Sequence, residues 1–397
     1  MQASTNWYQI IALYLAGALA AFQYAKMPWM LKDLLAQAEF SSFQQAILLS
    51  TIGIIGALFG TFAGALCQRI GLRRSLIAGL AIAIVGALLP LASTNYLPLL
   101  LARVVESTAH MAIVVTAPTL MLMLAAPQDR ARIMAFWSCY FTLTFMSVAS
   151  IAPTLIAFAG WQGFPVLHAL LLALALGGIM QFISEQNAQP SQPNTTPPAA
   201  NALLGAQWRL LSHRRLLIIP LTFIGYTLLF VSLVSLLPKM LSAVTETQYR
   251  LGFWLPGCAL VGTLIALFTL KRGIKPWKLV RVAIAVIALA ALALLLMRED
   301  ANARIVITMV IFLMLGLLPA GIIGSLPDVL EANDPDIPLV NGGLVQFGNL
   351  GNFIGPPVLT LLIGSLGWAG VSLYLLLGAG IVSVCLVLLS RLVQTRS

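Results

Sequence analysis

The sequence predicts an all-α membrane protein whose twelve transmembrane helices form two pseudo-symmetric six-helix bundles. Three observations carry that expectation. Of 397 residues, 60% are hydrophobic and only 9% are charged, and the mean hydropathy is +0.97. A soluble domain carries about 25% charged residues because its surface faces water. A water-soluble fold is therefore excluded, and disorder with it. The apolar residues fall into twelve runs, near 8–30, 43–66, 75–93, 98–124, 133–159, 164–184, 214–238, 250–270, 279–297, 304–330, 339–364 and 369–391. Most approach or exceed the roughly 20 residues a helix needs to cross hydrocarbon. Finally, Glu185 to Ala200 reads EQNAQPSQPNTTPPAA, a polar stretch with four prolines that separates the runs six from six.

The runs are read as helices because lipid offers the backbone no hydrogen-bond partner, and a barrel would need alternating strands of about 10 residues. The expected organisation is a bundle over 1–184, a cytoplasmic linker over 185–213 and a second bundle over 214–397. The end of the linker, Leu203 to Arg215, reads as an interfacial helix with Trp208 at the headgroups. The net charge of +10 sits mostly in short loops, which is a topology signal and not a nucleic-acid footprint. With the N-terminus placed in the cytoplasm, fifteen of the 22 Lys and Arg fall on that side and six on the other, with Arg103 inside a span. Both termini are thus expected in the cytoplasm, and an inner (plasma) membrane is the default location.

Cys67, Cys139, Cys258 and Cys385 are widely separated, a spacing that predicts neither a disulfide framework nor a zinc site. Ala18-Leu19-Ala20 mimics a signal-peptidase site, but residues 1 to 7 lack Lys and Arg, so cleavage is not expected. The two halves echo each other. Met27-Pro28-Trp29-Met30-Leu31 ends the first run, and Leu237-Pro238-Lys239-Met240-Leu241 ends the seventh. Gly160-Trp161 follows the fifth run, and Gly367-Trp368 the eleventh. Arg69 to Arg73 lies between runs two and three, and Arg272 to Lys275 between runs eight and nine. A common offset near 205 residues predicts a duplicated six-helix unit.

The loop after the second run reads Gly64-Ala65-Leu66-Cys67-Gln68-Arg69-Ile70-Gly71-Leu72-Arg73-Arg74. It resembles the major facilitator superfamily signature Gly-x-x-x-Asp-Arg-x-Gly-x-Arg-Arg, with Gln68 where the family usually has Asp. Arg103-Val104-Val105-Glu106 resembles the family's Arg-x-x-(Gln/Glu) element. Pro127-Gln128-Asp129-Arg130-Ala131-Arg132 resembles its Pro-x-x-x-Arg-x-Arg loop. The resemblance implies a transporter working by alternating access, with Gly64, Gln68, Arg69, Gly71, Arg73 and Arg74 as its gating loop. Ala152-Pro153-Thr154-Leu155-Ile156-Ala157 lacks the glycines that the family's exporters often carry there. Gly348 to Pro357, with Arg103-Glu106 and Gly160-Trp161, is similar to the cyanate/nitroimidazole branch.

An ionised side chain at a helix centre costs roughly 2.5–3.5 kcal/mol on insertion scales, so it needs a partner or a wet cavity. Arg103 and Glu106, three residues apart, share a helix face. They are expected either to bind an anionic group and couple it to a proton or to form a fixed ion pair, with His110 one turn further as a second proton carrier or a packing residue. Lys26 adds positive potential, or alternatively snorkels to the headgroups. Trp137, Tyr140 and Phe141 with Phe145, and Tyr226 and Phe230 with Phe223, are candidate aromatic walls. Gln346, Asn349 and Asn352 recur every three residues as a candidate amide wall. Gly56, Gly60 and Gly64 are expected to be a helix-packing face.

The sequence thus predicts a secondary transporter of a small organic solute, anionic or zwitterionic and proton-coupled. Export of an amphipathic drug or metal-chelating metabolite by proton antiport is the alternative. No ATP-binding loop, enzyme constellation, metal site or cofactor motif is present. The expected partners are the solute and the bilayer, with no nucleic acid, and the chain is expected to work as a monomer.

Overall fold

The structure, a computed structural model, describes residues 5–35, 39–184, 200–242, 245–297, 299–330 and 336–394. The body of the expected linker, 185–199, lies outside them, as do the side chains of Lys32, Gln68, Ala131, Thr245 and residues 200–203 and 392–394. Every described element is helical. Eleven stretches are long and apolar enough to cross a membrane. One of these, Tyr140–Phe182, holds two helices, Tyr140–Ala159 and Gly163–Phe182, turned at Gly160. The described residues therefore contain twelve membrane helices, as expected.

Spans one to four are Trp7–Leu31, Ser42–Cys67, Leu72–Ala92 and Tyr96–Leu124, and the two helices just named are spans five and six. Spans seven to twelve are Arg214–Leu241, Glu246–Lys271, Pro276–Leu296, Ala301–Asp328, Ile337–Leu366 and Trp368–Arg391. The chain divides into two compact units, Met1–Leu204 and Gly205–Ser397, with six spans each. Two shorter helices stand outside the spans. Arg130–Trp137 precedes span five, so the expected start of that span at residue 133 moves to Tyr140, after a turn at Ser138 and Cys139. Ala200–Ser212 precedes span seven.

Local chemistry sets several of the ends. Asn6 accepts from the Tyr8 N–H at the start of span one. Ser41 and Gln44 form a reciprocal capping box before span two. Asp300 accepts from the N–H groups of Asn302 and Ala303 before span ten. Four glycines have positive φ, at Gly71 (98°), Gly160 (59°), Gly273 (78°) and Gly367 (59°), and no other described residue does. They form two pairs: Gly71 and Gly273 after spans two and eight, Gly160 and Gly367 after spans five and eleven. The same left-handed turn at the same place in each unit is the structural form of the repeat. Large apolar side chains point outward, with Phe158 90%, Leu296 85% and Leu174 73% exposed. Lipid is the environment that makes such a surface stable.

Inside the second unit, helices approach so closely that a single methyl group would not fit. A Cβ on Gly316 would lie 1.9 Å from the Ala259 carbonyl oxygen, and one on Gly262 would lie 2.0 Å from that of Leu313. Spans eight and ten thus cross backbone to backbone, and Thr263 Oγ1 donates across the crossing to the Gly316 carbonyl at 3.1 Å. Gly351 and Gly355 bring span eleven against span seven, where a Cβ would lie 2.7 Å from the Ile224 and Leu228 carbonyl oxygens respectively. Gly64 differs from its expected packing role, because no described atom lies within 4 Å of where its Cβ would be.

Overpacking a tight contact costs about 1–3 kcal/mol. Gly316→Val is accordingly expected to lower the thermal unfolding midpoint and the folded yield. Gly177→Ala and Gly364→Ala, which meet nothing within 4 Å, are expected to leave both unchanged. Scanning fluorimetry on purified variants checks the contrast, and equal behaviour of the three would overturn the packing account.

Candidate functional site

Three ionisable side chains meet inside the first unit with almost no exposure: Lys26 at 1%, Arg103 at 2% and Glu106 at 0%. Lys26 sits at the joint of span one, where the helix Trp7–Ala25 gives way to Met27–Leu34 with Pro28 in its first turn. Arg103 and Glu106 lie on span four. Lys26 Nζ donates to Glu106 Oε1 at 2.5 Å, and Arg103 Nη1 donates to Glu106 Oε2 at 2.6 Å. One carboxylate therefore holds two cations, and the three groups carry one formal positive charge between them. The expected pairing across three residues is present. Lys26 does not snorkel; its ammonium is turned inward.

A fourth group completes the cluster. His168 on span six places Nδ1 3.2 Å from Lys26 Nζ and Nε2 2.9 Å from the Leu19 carbonyl oxygen. An ammonium can only donate and a carbonyl can only accept, so the ring is the neutral tautomer that carries its proton on Nε2. Phe22 stacks on it, with ring centroids 4.7 Å apart. Sequence reasoning gave His168 no role and assigned proton handling to His110. In the structure His110 Nδ1 lies 3.1 Å from the Ala20 carbonyl oxygen, and the ring meets Tyr24 edge-on at 5.2 Å. That backbone contact turns His110 to span one and away from hydrogen bonding with Glu106. Nothing in the sequence links His168 to Lys26, 142 positions away.

Close packing admits the cluster. A Cβ on Gly86 of span three would fall 2.8 Å from Glu106 Cγ and 3.1 Å from its backbone nitrogen. Span two is broken where it passes the site. The α-helix Ser42–Ser50 gives way to a 3₁₀ turn, Thr51–Gly53, before helix resumes at Ile54. Span four serves the polar groups of that break. Arg103 Nε donates to the Leu48 carbonyl at 2.9 Å. Ser107 Oγ donates to the Ile52 carbonyl at 2.7 Å and accepts from the Ile55 N–H at 3.1 Å. Arg103 Nη1 also donates to the Gln23 carbonyl of span one at 2.8 Å. Its Nη2, and both polar atoms of the Gln23 side chain, are buried without a hydrogen-bond partner among the described residues.

Aromatic rings extend from the cluster. Tyr24 meets Phe141 at 5.6 Å, Phe141 meets Tyr140 at 5.9 Å, and Tyr140 stacks on Trp137 at 4.4 Å. Trp137 lies over Gly17, where a Cβ would be 2.4 Å from its ring. In the second unit Tyr226 meets Phe230 at 5.7 Å, and Phe230 is buried against Phe312. Asn349 donates to the Val345 carbonyl at 2.8 Å, while its Oδ1 and that of Asn352 are buried without partners among the described residues. Gln346 is half-buried on the same helix. Among the described residues no group of His, Cys, Asp and Glu could hold a metal ion.

Over residues 10–335 the chain matches the sequence model of the Major Facilitator Superfamily. The chain belongs to that superfamily. No curated protein matches it. Membership makes it a multi-pass membrane transporter, from a family of transporters and not of enzymes. The match reaches the superfamily and not one branch of it. The superfamily-like loop after span two is built as its motif implies in one respect: Gly71 makes the turn in a left-handed conformation. Arg73 then reaches the end of span six, with Nε donating to the Ile183 carbonyl at 2.5 Å and Nη2 to the Met180 carbonyl at 3.2 Å. A cation on helix-terminal carbonyls is favoured by the helix dipole. Arg69 and Arg74 are exposed, and the Gln68 side chain lies outside the described residues. The loop between spans four and five is strapped to the N-terminal segment. Thr5 Oγ1 donates to Asp129 Oδ2 at 2.5 Å, and Arg132 lies over the Trp7 ring at 5.4 Å.

The charge arithmetic sets an order of stability. Glu106→Gln leaves two buried cations without a counter-charge, whereas Lys26→Met leaves the neutral pair Arg103–Glu106. Removing one partner of a buried pair costs about 3–5 kcal/mol when a charge is left uncompensated. Thermal unfolding of the purified variants is expected to show a clearly larger drop for Glu106→Gln than for Lys26→Met; the reverse order would break the account.

Proposed function

We propose that the protein is a secondary active transporter that moves a small organic anion or zwitterion together with a proton by alternating access. The observation that carries the reading is the shared Glu106 carboxylate, held by Arg103 and Lys26 beside the unused Nη2 of Arg103 and the unpartnered Gln23 amide. When Glu106 takes a proton it stops neutralising its two cations, and the cluster rises from one positive charge to two. A carboxylate from the solute returns it to one. Proton and anion therefore favour each other's binding by charge balance alone, in a medium where an uncompensated charge is expensive. His168 positions the Lys26 ammonium against Glu106, and His110 is assigned to packing on span one. Tyr24 and Phe141, with Tyr140 and Trp137 beyond them, are the proposed surface for the apolar part of the solute. Within the second unit, taken by itself, Tyr226, Gln346, Asn349 and Asn352 are the proposed solute-contact residues.

The 15-to-6 division of cations supports cytoplasmic termini and a plasma or inner-membrane location. A monomer is the proposed working form.

Flux into proteoliposomes tests the reading with a panel of labelled monocarboxylates and amino acids, each beside its uncharged amide. Acid outside is expected to drive accumulation of at least one acid and not of its amide, and a protonophore is expected to abolish it. Because the proton is a co-substrate, uptake falls as the external pH rises. Arg103→Ala keeps the neutral Lys26–Glu106 pair, so folded protein is expected in the membrane with uptake lost. Equal uptake of acid and amide, or near wild-type uptake by Arg103→Ala, would sink the proposal.

A further inference from the structure

The outward face of the second unit holds a hollow of about 290 Å³ between spans nine and twelve. Arg281, Ile284, Ala285 and Ala288 line it from span nine, and Leu386 and Val387 from span twelve. The span-nine residues follow one another at i, i+3, i+4 and i+7, so they form a single stripe along that helix. The stripe has one charged end. Arg281 lies over the Trp277 ring at 4.4 Å, and Lys278 Nζ is 5.9 Å from the same ring. Arg272 covers Phe268 at 4.2 Å. Lys271, Arg272, Lys275, Lys278 and Arg281 are all exposed, and among the described residues none is paired with a carboxylate. Span twelve runs antiparallel to span nine and adds exposed Arg391 one turn beyond Val387.

We infer that this groove binds an anionic diacyl phospholipid from the surrounding bilayer. Its phosphate sits on Arg281 and Lys278, and one acyl chain lies along the apolar stripe. Three features point to that occupant. The groove opens on an apolar face that lipid must already cover, so its contents are continuous with the bilayer. Ala285 and Ala288 are short, and the furrow they leave between larger neighbours suits a narrow hydrocarbon chain. Five cations at one end, none paired with a carboxylate among the described residues, complement a net negative headgroup, whereas the ammonium of a zwitterionic lipid would be repelled. Trp277 fixes the depth, since indole rings settle where hydrocarbon gives way to headgroups.

Native mass spectrometry and thermal unfolding of the full chain in detergent test the site, with added phosphatidylglycerol or phosphatidylcholine of the same chains. Phosphatidylglycerol is expected to be retained and to raise the unfolding midpoint, and phosphatidylcholine to do neither. Arg281→Gln is expected to weaken retention roughly five-fold, the worth of one base near an anionic headgroup. Ala288→Phe fills the furrow and leaves every cation in place, and it is expected to abolish the shift. Arg250→Gln removes an exposed cation at the opposite end of span eight and is expected to change nothing. Equal responses to the two lipids, an unaltered shift in Arg281→Gln and Ala288→Phe, or an equal loss in Arg250→Gln would each overturn the site.

Discussion

A carboxylate with no exposure, shared by two cations, is the constraint around which the first unit is arranged. Both of its partners, Arg103 and Lys26, lie within hydrogen-bond reach, as a buried charge requires. That demand sets the course of three other helices. Span three must come close enough that only glycine fits at position 86. Span one must place Lys26 at its joint, and span six must bring His168 to the far side of the ammonium. Span two can break at Thr51–Gly53 because Arg103 and Ser107, one turn apart on span four, take up the polar groups the break leaves. The same guanidinium therefore serves an electrostatic role and a backbone role.

The second unit solves the packing problem by other means. Its helices meet through glycines at positions 262, 316, 351 and 355, where carbonyl oxygens occupy the space a methyl would need. Tyr374 adds a polar tie, with its hydroxyl donating to the Leu228 carbonyl at 2.7 Å beside Ser232. The two units share a plan of turns and differ in what fills their interiors. Buried ions specify one, and close backbone contact specifies the other. That difference is why the proposed coupling chemistry is assigned to the first unit.

The architecture was legible in the sequence because hydrocarbon imposes a length and an apolarity on every span, and both are visible residue by residue. The repeat was legible at Gly160-Trp161 and Gly367-Trp368 because glycine marks a backbone conformation that other residues avoid. Arg103 and Glu106 were legible as a pair because three residues of helix bring them together. The rest of the site was not. Lys26 reaches Glu106 across 80 positions, and His168 reaches Lys26 across 142; only the folded chain makes those distances short. For His110, helical spacing gives a face and not a partner, and the structure places its ring against the Ala20 carbonyl. The break in span two left a faint trace in Ser50, Thr51 and Gly53, residues that loosen a helix. The sequence did not say that span four would mend it.

That mended break has an energetic meaning. A bare opened turn in hydrocarbon would be costly, since each freed carbonyl would lack a partner. Here the partners stand on span four, so the turn between Ser42–Ser50 and Ile54–Ile70 keeps its exposed polar groups satisfied. One of those partners, Arg103, also grips Glu106. The carboxylate and the opened turn of the neighbouring helix thus share one guanidinium, with no loop between them.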